Sequence, residues 1–430
     1  MLTTSKKYSY KLILLIGTIL CTACGLNQSK EDKIKQMNNS KTASEILGNP
    51  ECLAISYGGY REISRDAQPT IPQIKNDLKI LSALGIRIIR TYNVQFEKAG
   101  NVLQAIRELH EEDSSFEMYV MLGIWIDCEN AWTDKVPNHD KEDFESNASE
   151  VERAVALASK YSEIVKILAV GNEAMVKWAT SYYVQPSVIL KWVNHLQELK
   201  QTGKLDKDLW ITSSDNFASW GGGDAEYHCE DLENLIKAVD YVSLHTYPMH
   251  DTHYHPVFWG TFESELHLNK TKIIERAMTR ALLYAKKQYV NSVEYIHSVD
   301  STKEVHIGET GWASVSNGLY GANGSKACDE YKEGVYYKAM REWTNEEGIS
   351  CFYFQAFNEK WKDAKNPNGS ENHFGLFRIN GQAKYAIWNK VDEGVFSGLT
   401  RNGNSIEKTL DGNLYALLEK VETPPLKQFK

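Results

Sequence analysis

The 430-residue sequence predicts an α/β fold, a single (β/α)8 TIM barrel with a short C-terminal extension. From Leu53 onward, short apolar runs alternate with amphipathic stretches, the pattern of repeated β-α units. There are eight such runs, the number that closes a barrel. At 42% hydrophobic and 24% charged residues, the chain has material for a sizeable core, which excludes disordered, collagen-like and multispan membrane classes.

The expected strands, in order, are CLAISY, IRIIRTY, MYVMLGIWI, ILAV, WITSS, YVSL, EVHI and CFYFQAF. Between them lie IPQIKNDLKILSALG, NVLQAIRELHE, EVERAVALASKY, PSVILKWVNHLQELK and KTKIIERAMTRALLYAKKQ. Each of these carries apolar residues three and four apart, as a helix with one buried face does. The barrel is expected over 51–392. The segment 393–430 is too small for an independent domain and is expected to pack against the barrel as the C-terminal extension.

The first 24 residues run from basic MLTTSKKYSYK through apolar LILLIGTIL to CTAC, the order of an export signal. Thr22-Ala23-Cys24-Gly25 resembles a bacterial lipobox, although Leu20 sits one place early. We therefore expect a lipoprotein signal peptide over 1–24, lipidation at Cys24 and a flexible tether over 25–50. The expected location is outside the cytoplasm, anchored in a membrane at the outer membrane, cell surface or periplasmic side, or otherwise secreted. Five cysteines follow the leader, Cys52, Cys128, Cys229, Cys328 and Cys351, an odd number that makes no disulfide framework. The histidines His250, His253 and His255 lack companion ligands at metal-binding spacing and read as a solvated loop, so no metal is expected.

The net charge of −9 becomes −12 without Lys6, Lys7 and Lys11, with 45 basic against 57 acidic residues. Nucleic acid is therefore not an expected partner. Aromatic residues make up 11% of the chain, which suits stacking on a neutral, ring-shaped ligand. A monomer is the default.

A barrel of this kind places its chemistry at the carboxyl ends of the strands. After the fourth run the chain reads GNEAMVKW and after the seventh GETGWAS, which puts Glu173 and Glu309 at one mouth. Cleaving an acetal requires one carboxylic acid to protonate the leaving oxygen and a second carboxylate to attack or stabilise the sugar carbon. A retaining reaction needs them about 5–5.5 Å apart.

In chain order the sequence shows ISYGGYR, GIRIIRTYN, GIWID, GNEAM, HTYP, GETGW, FQAFNEKWK and HFGLF. From about Cys52 to Trp388 this resembles glycoside hydrolase family 17, the β-1,3-glucanase family in the clan of retaining (β/α)8 hydrolases. The resemblance implies Glu173 as general acid/base and Glu309 as nucleophile, with no cofactor. It also implies that Asn172 binds the sugar 2-hydroxyl, that Tyr247 orients Glu309, and that Arg90 and Tyr92 form the family's Arg-x-Tyr pattern. Glu359 and Lys362 match charged residues thought to support the catalytic pair. Arg90, Tyr92, Glu359 and Lys362 read equally well as barrel-mouth or surface ion-pair residues, and His245 as a satisfied core histidine. Trp312, Trp178, Trp220, Trp361, Tyr57 and Phe357 lie in or after strand ends and are candidate sugar platforms, with filling of the barrel's top layer as the alternative for each.

Asn93 and the long insert AWTDKVPNHDKEDFESNAS depart from the plant pattern of the family, as does the extended loop HDTHYHPVFWGTFESELHLNK. Such inserts build the walls of a groove and govern chain length, branching and endo or exo action. The resulting expectation is an endo-acting β-1,3-glucanase on laminarin-type glucan, with β-glucan poly- or oligosaccharide as partner. A β-1,3-glucanosyltransferase would use the same residues. A non-catalytic glycan-binding lipoprotein and a clan member acting on β-mannan or mixed-linkage glucan are further alternatives.

Overall fold

Eight parallel strands close a barrel in a computed structural model that describes residues 40–427. They are β1 (Leu53–Ser56), β2 (Ile86–Arg90), β3 (Tyr119–Ile124), β4 (Val165–Asn172), β5 (Trp210–Asn216), β6 (Val242–His245), β7 (Val305–Thr310) and β8 (Cys351–Tyr353). Each strand pairs with its neighbours in the sequence, and β8 returns to β1 with Ala54 opposite Phe352. Every expected apolar run is one barrel strand. β4 and β5 extend two residues into polar sequence, to Asn172 and Asn216. β8 ends early, because after Tyr353 the backbone turns to bond both neighbouring strand ends: Phe354 N donates to Thr310 O at 2.7 Å and Ala356 N to Ser56 O at 3.0 Å.

Helices form where apolar faces meet start signals. In α2 (Ile71–Ala83), Thr70 Oγ1 accepts from Gln73 N, and the Gln73 side chain accepts from Thr70 N at 3.0 Å. That reciprocal cap satisfies two N–H groups that the first turn leaves unbonded, and Pro72 in that turn lacks an N–H to satisfy. Six further helices, α3 (Glu97–Glu112), α4 (Phe144–Lys160), α5 (Pro186–Gln201), α6 (Glu230–Ala238), α7 (Pro248–Tyr254) and α8 (Lys270–Val299), follow β2 to β6. α9 (Glu330–Glu346) joins β7 to β8.

The expected tether needs a correction at its end. Residues 43–46 form a short helix, α1 (Ala43–Ile46), whose Ala43, Ile46 and Leu47 pack with Ala54, Ile88, Met121, Ile167, Tyr241 and Phe352 at the amino-terminal end of the barrel interior. Ala43 and Ile46 are fully buried, so removing apolar surface from water holds this stretch in place. Residues 25–39 of that tether, the signal peptide and Cys24 lie outside the described residues.

Beyond the barrel, Arg401 is buried and donates from Nε to Asp77 Oδ1 on α2 at 3.0 Å, with its guanidinium 4.0 Å from the Phe357 ring centroid. Further on, Thr261 N donates to Pro425 O and Lys427 N to Thr261 O, both at 2.8 Å. Among the described residues, Cys52, Cys128, Cys229, Cys328 and Cys351 form no disulfide with one another. Among the described residues no helix is long and apolar enough to cross a membrane.

Candidate active site

Two residues separate floor from mouth along a strand, because alternate side chains share a face. Ile88 faces the floor, while Arg90, two positions on, reaches the carboxyl end, where β5, β6 and β7 contribute Ser214, Ser243, His245 and Glu309. Close approach is needed here: a Cβ on Gly308 would come within 2.6 Å of Ser214 Oγ and closer still to Ser243 Oγ. Gly308 also supplies a carbonyl that accepts from Arg90 Nη1 at 2.8 Å.

Glu309, only 6% exposed, accepts three short hydrogen bonds. Arg90 Nη1 and Tyr92 Oη each donate to its Oε2 at 2.7 Å, and Tyr247 Oη donates to its Oε1 at 2.6 Å. Burial would raise its pKa, but the Arg90 charge, His245 and the two tyrosine hydroxyls outweigh burial and lower it. Glu309 is thus held as the anion.

Glu173 stands in the opposite condition. It adopts a left-handed backbone at φ 47°, a conformation costly for a residue with a side chain, in the turn where its N–H donates to Ser214 O at 3.0 Å. Its carboxyl group is raised to about 8, first by burial and then by the charge on Glu309, with Arg90 opposing. At neutral pH it carries a proton.

His245 links the two carboxyl systems. Its Nε2 lies 3.2 Å from Arg90 Nη1, which can only donate, and 2.7 Å from Ser214 Oγ. Nε2 is therefore the acceptor, and Nδ1 carries the hydrogen it shares with Glu173 Oε1 at 3.2 Å. Burial lowers the imidazole to about 4 and keeps it neutral. His245 is thus a satisfied core histidine, fully buried with both ring nitrogens bonded, and its contact with Glu173 adds to that expectation. Asp215 is a further residue that the strand pattern does not single out. It accepts from Met175 N at 2.7 Å and from Ser219 Oγ at 2.6 Å, and burial raises it to about 6.

The other expected residues divide. Asn172 joins the mouth, with Oδ1 accepting from Arg90 Nη2 at 2.6 Å. Arg90 itself is 1% exposed and donates to both Glu309 and Asn172, so it supports these two side chains from within the barrel and its charge helps to keep Glu309 ionised. Glu359, also 1% exposed, accepts from Tyr60 N at 3.0 Å and Trp361 Nε1 at 2.9 Å, which makes it a buried brace for the first loop. Lys362 sets its ammonium 4.5 Å from the Phe354 ring centroid and 4.9 Å from that of Trp361.

Four aromatic platforms are corrected outright. Trp312 and Trp220 are fully buried, their indole N–H groups donating to Ala327 O at 2.9 Å and Ser243 O at 3.1 Å. Tyr57 is buried against Asp77, to which its hydroxyl donates at 3.0 Å, and Phe357 is held between Arg401 and Phe377. None has a face left for a sugar. Trp178, just after Glu173, is 61% exposed, and Trp361 is half-buried with Arg65 4.7 Å from its ring centroid.

An aromatic cluster absent from the expected set stands at this mouth: Trp125 after β3, Trp132 in the insert that follows, and Tyr182 after β4. The length of the insert was the only signal in the sequence. Among the described residues no group of three or more His, Cys, Asp or Glu is placed to hold a metal ion.

A model of the BtgE/BtgC glycoside hydrolase domain matches residues 54–375. The chain is 63% identical to an endo-laminarinase from Formosa Hel1_33_131, whose crystal structure aligns with a TM-score of 0.90 over 91% of this chain and 99% of that one. It is 25% identical over 284 residues to a glucan 1,3-beta-glucosidase of Arthroderma benhamiae, covering 64% of this chain and 73% of that protein. An Aspergillus niger protein provisionally named as a glucan endo-1,3-beta-glucosidase is 22% identical over 81% of this chain, which spans only 44% of that relative's length. A family 17 β-1,3-glucanosyltransferase from Rhizomucor miehei shares the fold at 18% identity and a TM-score of 0.54, over 78% of this chain and 96% of that one.

Proposed function

The chain belongs to the BtgE/BtgC glycoside hydrolase family, and on that premise we propose that it is an endo-acting β-1,3-glucanase of glycoside hydrolase family 17 that cleaves laminarin-type glucan with retention. The observation that carries the proposal is the unlike surroundings of two carboxyl groups at one mouth: three short hydrogen bonds and the Arg90 charge lower Glu309 against its burial, while desolvation and the Glu309 charge raise Glu173 to about 8. Pairs pushed apart in this way divide into acid and nucleophile. The 63% identity to an endo-laminarinase supports the choice of substrate and of internal cleavage.

In the proposed reaction Glu173 gives its proton to the glycosidic oxygen as Glu309 attacks the anomeric carbon, so the C–O bond to the leaving chain breaks while an ester bond to Glu309 forms. Esterification removes the charge on Glu309. The repulsion that helped to keep Glu173 protonated then disappears, and Glu173 becomes a better-ionised base. It takes a proton from water, whose oxygen bonds to the anomeric carbon and releases Glu309. Asn172 is proposed to donate from Nδ2 to the sugar 2-hydroxyl, with its Oδ1 held by Arg90. No step needs a cofactor. Export of the chain and its lipid attachment at Cys24 are part of the same proposal, supported by the order of the first 24 residues.

The test is to size the products from linear β-1,3-glucan oligosaccharides beside a Glu309→Gln variant, with β-mannan and mixed-linkage glucan as rival substrates. Shorter products from the unmodified protein alone support the reading. Products longer than the substrate move it to glycosyl transfer, and cleavage of only a rival polymer overturns it.

A further inference from the structure

We infer that Trp125, Trp132 and Tyr182, gathered around Asp127, form the subsite for the glucosyl unit on the leaving side of the cut bond, the same surface that would seat an acceptor sugar. The inference rests on the proposed glucanase reading and extends it to one wall of the cleft.

The cluster is built rather than incidental. Trp125 Nε1 and Trp132 Nε1 both donate to Asp127 Oδ1, at 2.7 and 3.0 Å. Trp132 stacks on Tyr182 with ring centroids 5.0 Å apart and planes 21° apart, and Trp125 lies 5.3 Å from the same tyrosine ring. Cys128 N donates to Tyr182 O at 3.1 Å and ties the two loops together. Asp127 is fixed in turn, its N–H donating to Asn147 Oδ1 at 2.9 Å and its carbonyl accepting from Asn147 Nδ2 at 3.0 Å.

Trp132 nevertheless remains 61% exposed and sits in the left-handed backbone region at φ 60°, with Asn130 nearby at 65°. A bulky residue in that region is strained, and such strain persists only where surrounding contacts over-determine it. Burying the indole would be the cheaper use of a tryptophan in a core. This structure instead holds a flat apolar face open to solvent beside a carboxylate, the pairing of surfaces that a pyranose presents through its C–H face and its hydroxyls.

Its side of the cleft follows from the barrel. Trp125 and Trp132 follow β3 and Tyr182 follows β4, the strand that leads into Glu173, whereas Glu309 ends β7 on the other side. The loop that carries Tyr182 is tied back to the residue after Glu173, Val184 N donating to Ala174 O at 2.7 Å. In a double displacement the nucleophile faces the donor sugar and the acid faces the leaving oxygen. A platform on the acid's side therefore meets the sugar that departs, and the one that returns in transfer.

The experiment compares Glu309→Gln with Glu309→Gln/Trp132→Ala for laminarihexaose binding by calorimetry, and the unmodified protein with Trp132→Ala and Trp132→Phe for turnover. Binding is expected to weaken roughly tenfold on loss of the indole, the scale of one good aromatic contact. Hydrolysis of laminarihexaose should show a raised KM and fewer transfer products, largely restored in Trp132→Phe, with the pH profile unchanged. A β-laminaribiosyl fluoride, whose glucosyl units all lie on the donor side and whose small leaving group does not reach the platform, should be turned over as before. Equal binding by the two Gln variants, no binding by either, or an equal loss on the fluoride overturns the inference. Failure of the unmodified protein to cleave β-1,3-glucan would instead overturn the glucanase reading, a result scored separately from binding.

Discussion

Replacing Tyr247 with Phe deletes one oxygen and little else. The ring is held by His250 stacked at 5.2 Å and by the edges of Phe354 and Phe374 at 6.4 and 6.1 Å, so a phenylalanine should keep its place. What disappears is the 2.6 Å donation to Glu309 Oε1, while Arg90 and Tyr92 remain on Oε2. A hydrogen bond to a charged group contributes about 1.5–3 kcal/mol. At 1.36 kcal/mol per pKa unit, that corresponds to roughly 1–2 units. Burial pushes Glu309 upward and the remaining donors oppose it less well, so its pKa rises. Because the reaction needs Glu309 ionised, the acid limb of kcat/KM for a laminari-oligosaccharide should move to higher pH by about 1–2 units. The alkaline limb, governed by the proton on Glu173, should move far less, both limbs being apparent values of a coupled pair. The assay is the full pH profile of both proteins, with a thermal melt to show that the variant is folded. An acid limb that stays in place in a folded variant refutes the claim that this hydroxyl helps to keep Glu309 ionised.

Glu173→Gln should be more heat-stable than the unmodified protein, because a carboxyl group raised to about 8 on folding costs stability as pH rises. The gain should begin above the ordinary glutamate range, grow to about pH 8 and then level off at roughly 2 °C or more; a gain independent of pH contradicts the raised value. Asp77→Asn should lower stability by about 3–5 kcal/mol in urea unfolding, since it strips the carboxylate from the buried Arg401, and a loss below about 1 kcal/mol would show that the pair does not anchor the C-terminal segment. Ile46→Ala, in the barrel floor, should cost about 2–5 kcal/mol by the same measurement; no loss would mean that residues 42–50 are dispensable to the fold.

The barrel was legible because a parallel strand covered on both faces reads as a continuous apolar run, and eight of those runs could be seen. The carboxyl pair was legible because strand ends are fixed points in this fold: once ILAV and EVHI are strands, the glutamates three residues beyond Val170 and two beyond Ile307 must face the mouth. The floor was not, because α1 has only four residues and sits in a polar stretch whose burial depends on six strands it cannot announce. The link through His245 was missed for a related reason, since its partners Arg90, Ser214 and Glu173 arrive from β2, β5 and the turn after β4.

The aromatics show where local reading ends. Trp312 adjoins GET and Trp178 follows GNE in similar surroundings, yet one is fully buried and the other 61% exposed. What separates them is the protein that covers each, supplied for Trp312 by Trp259, Tyr336 and the Ala327 carbonyl. The reverse error falls on Trp132 and Tyr182, fifty positions apart in the chain and stacked face to face in the fold. Position along a strand therefore identifies the residues that do the proposed chemistry, because the barrel fixes that geometry. The surface that selects a sugar is made by contacts between loops, and a barrel motif carries no information about them. Exchanging the loop between Trp125 and Asp143 should accordingly alter product lengths while leaving the opposed protonation of Glu173 and Glu309 in place.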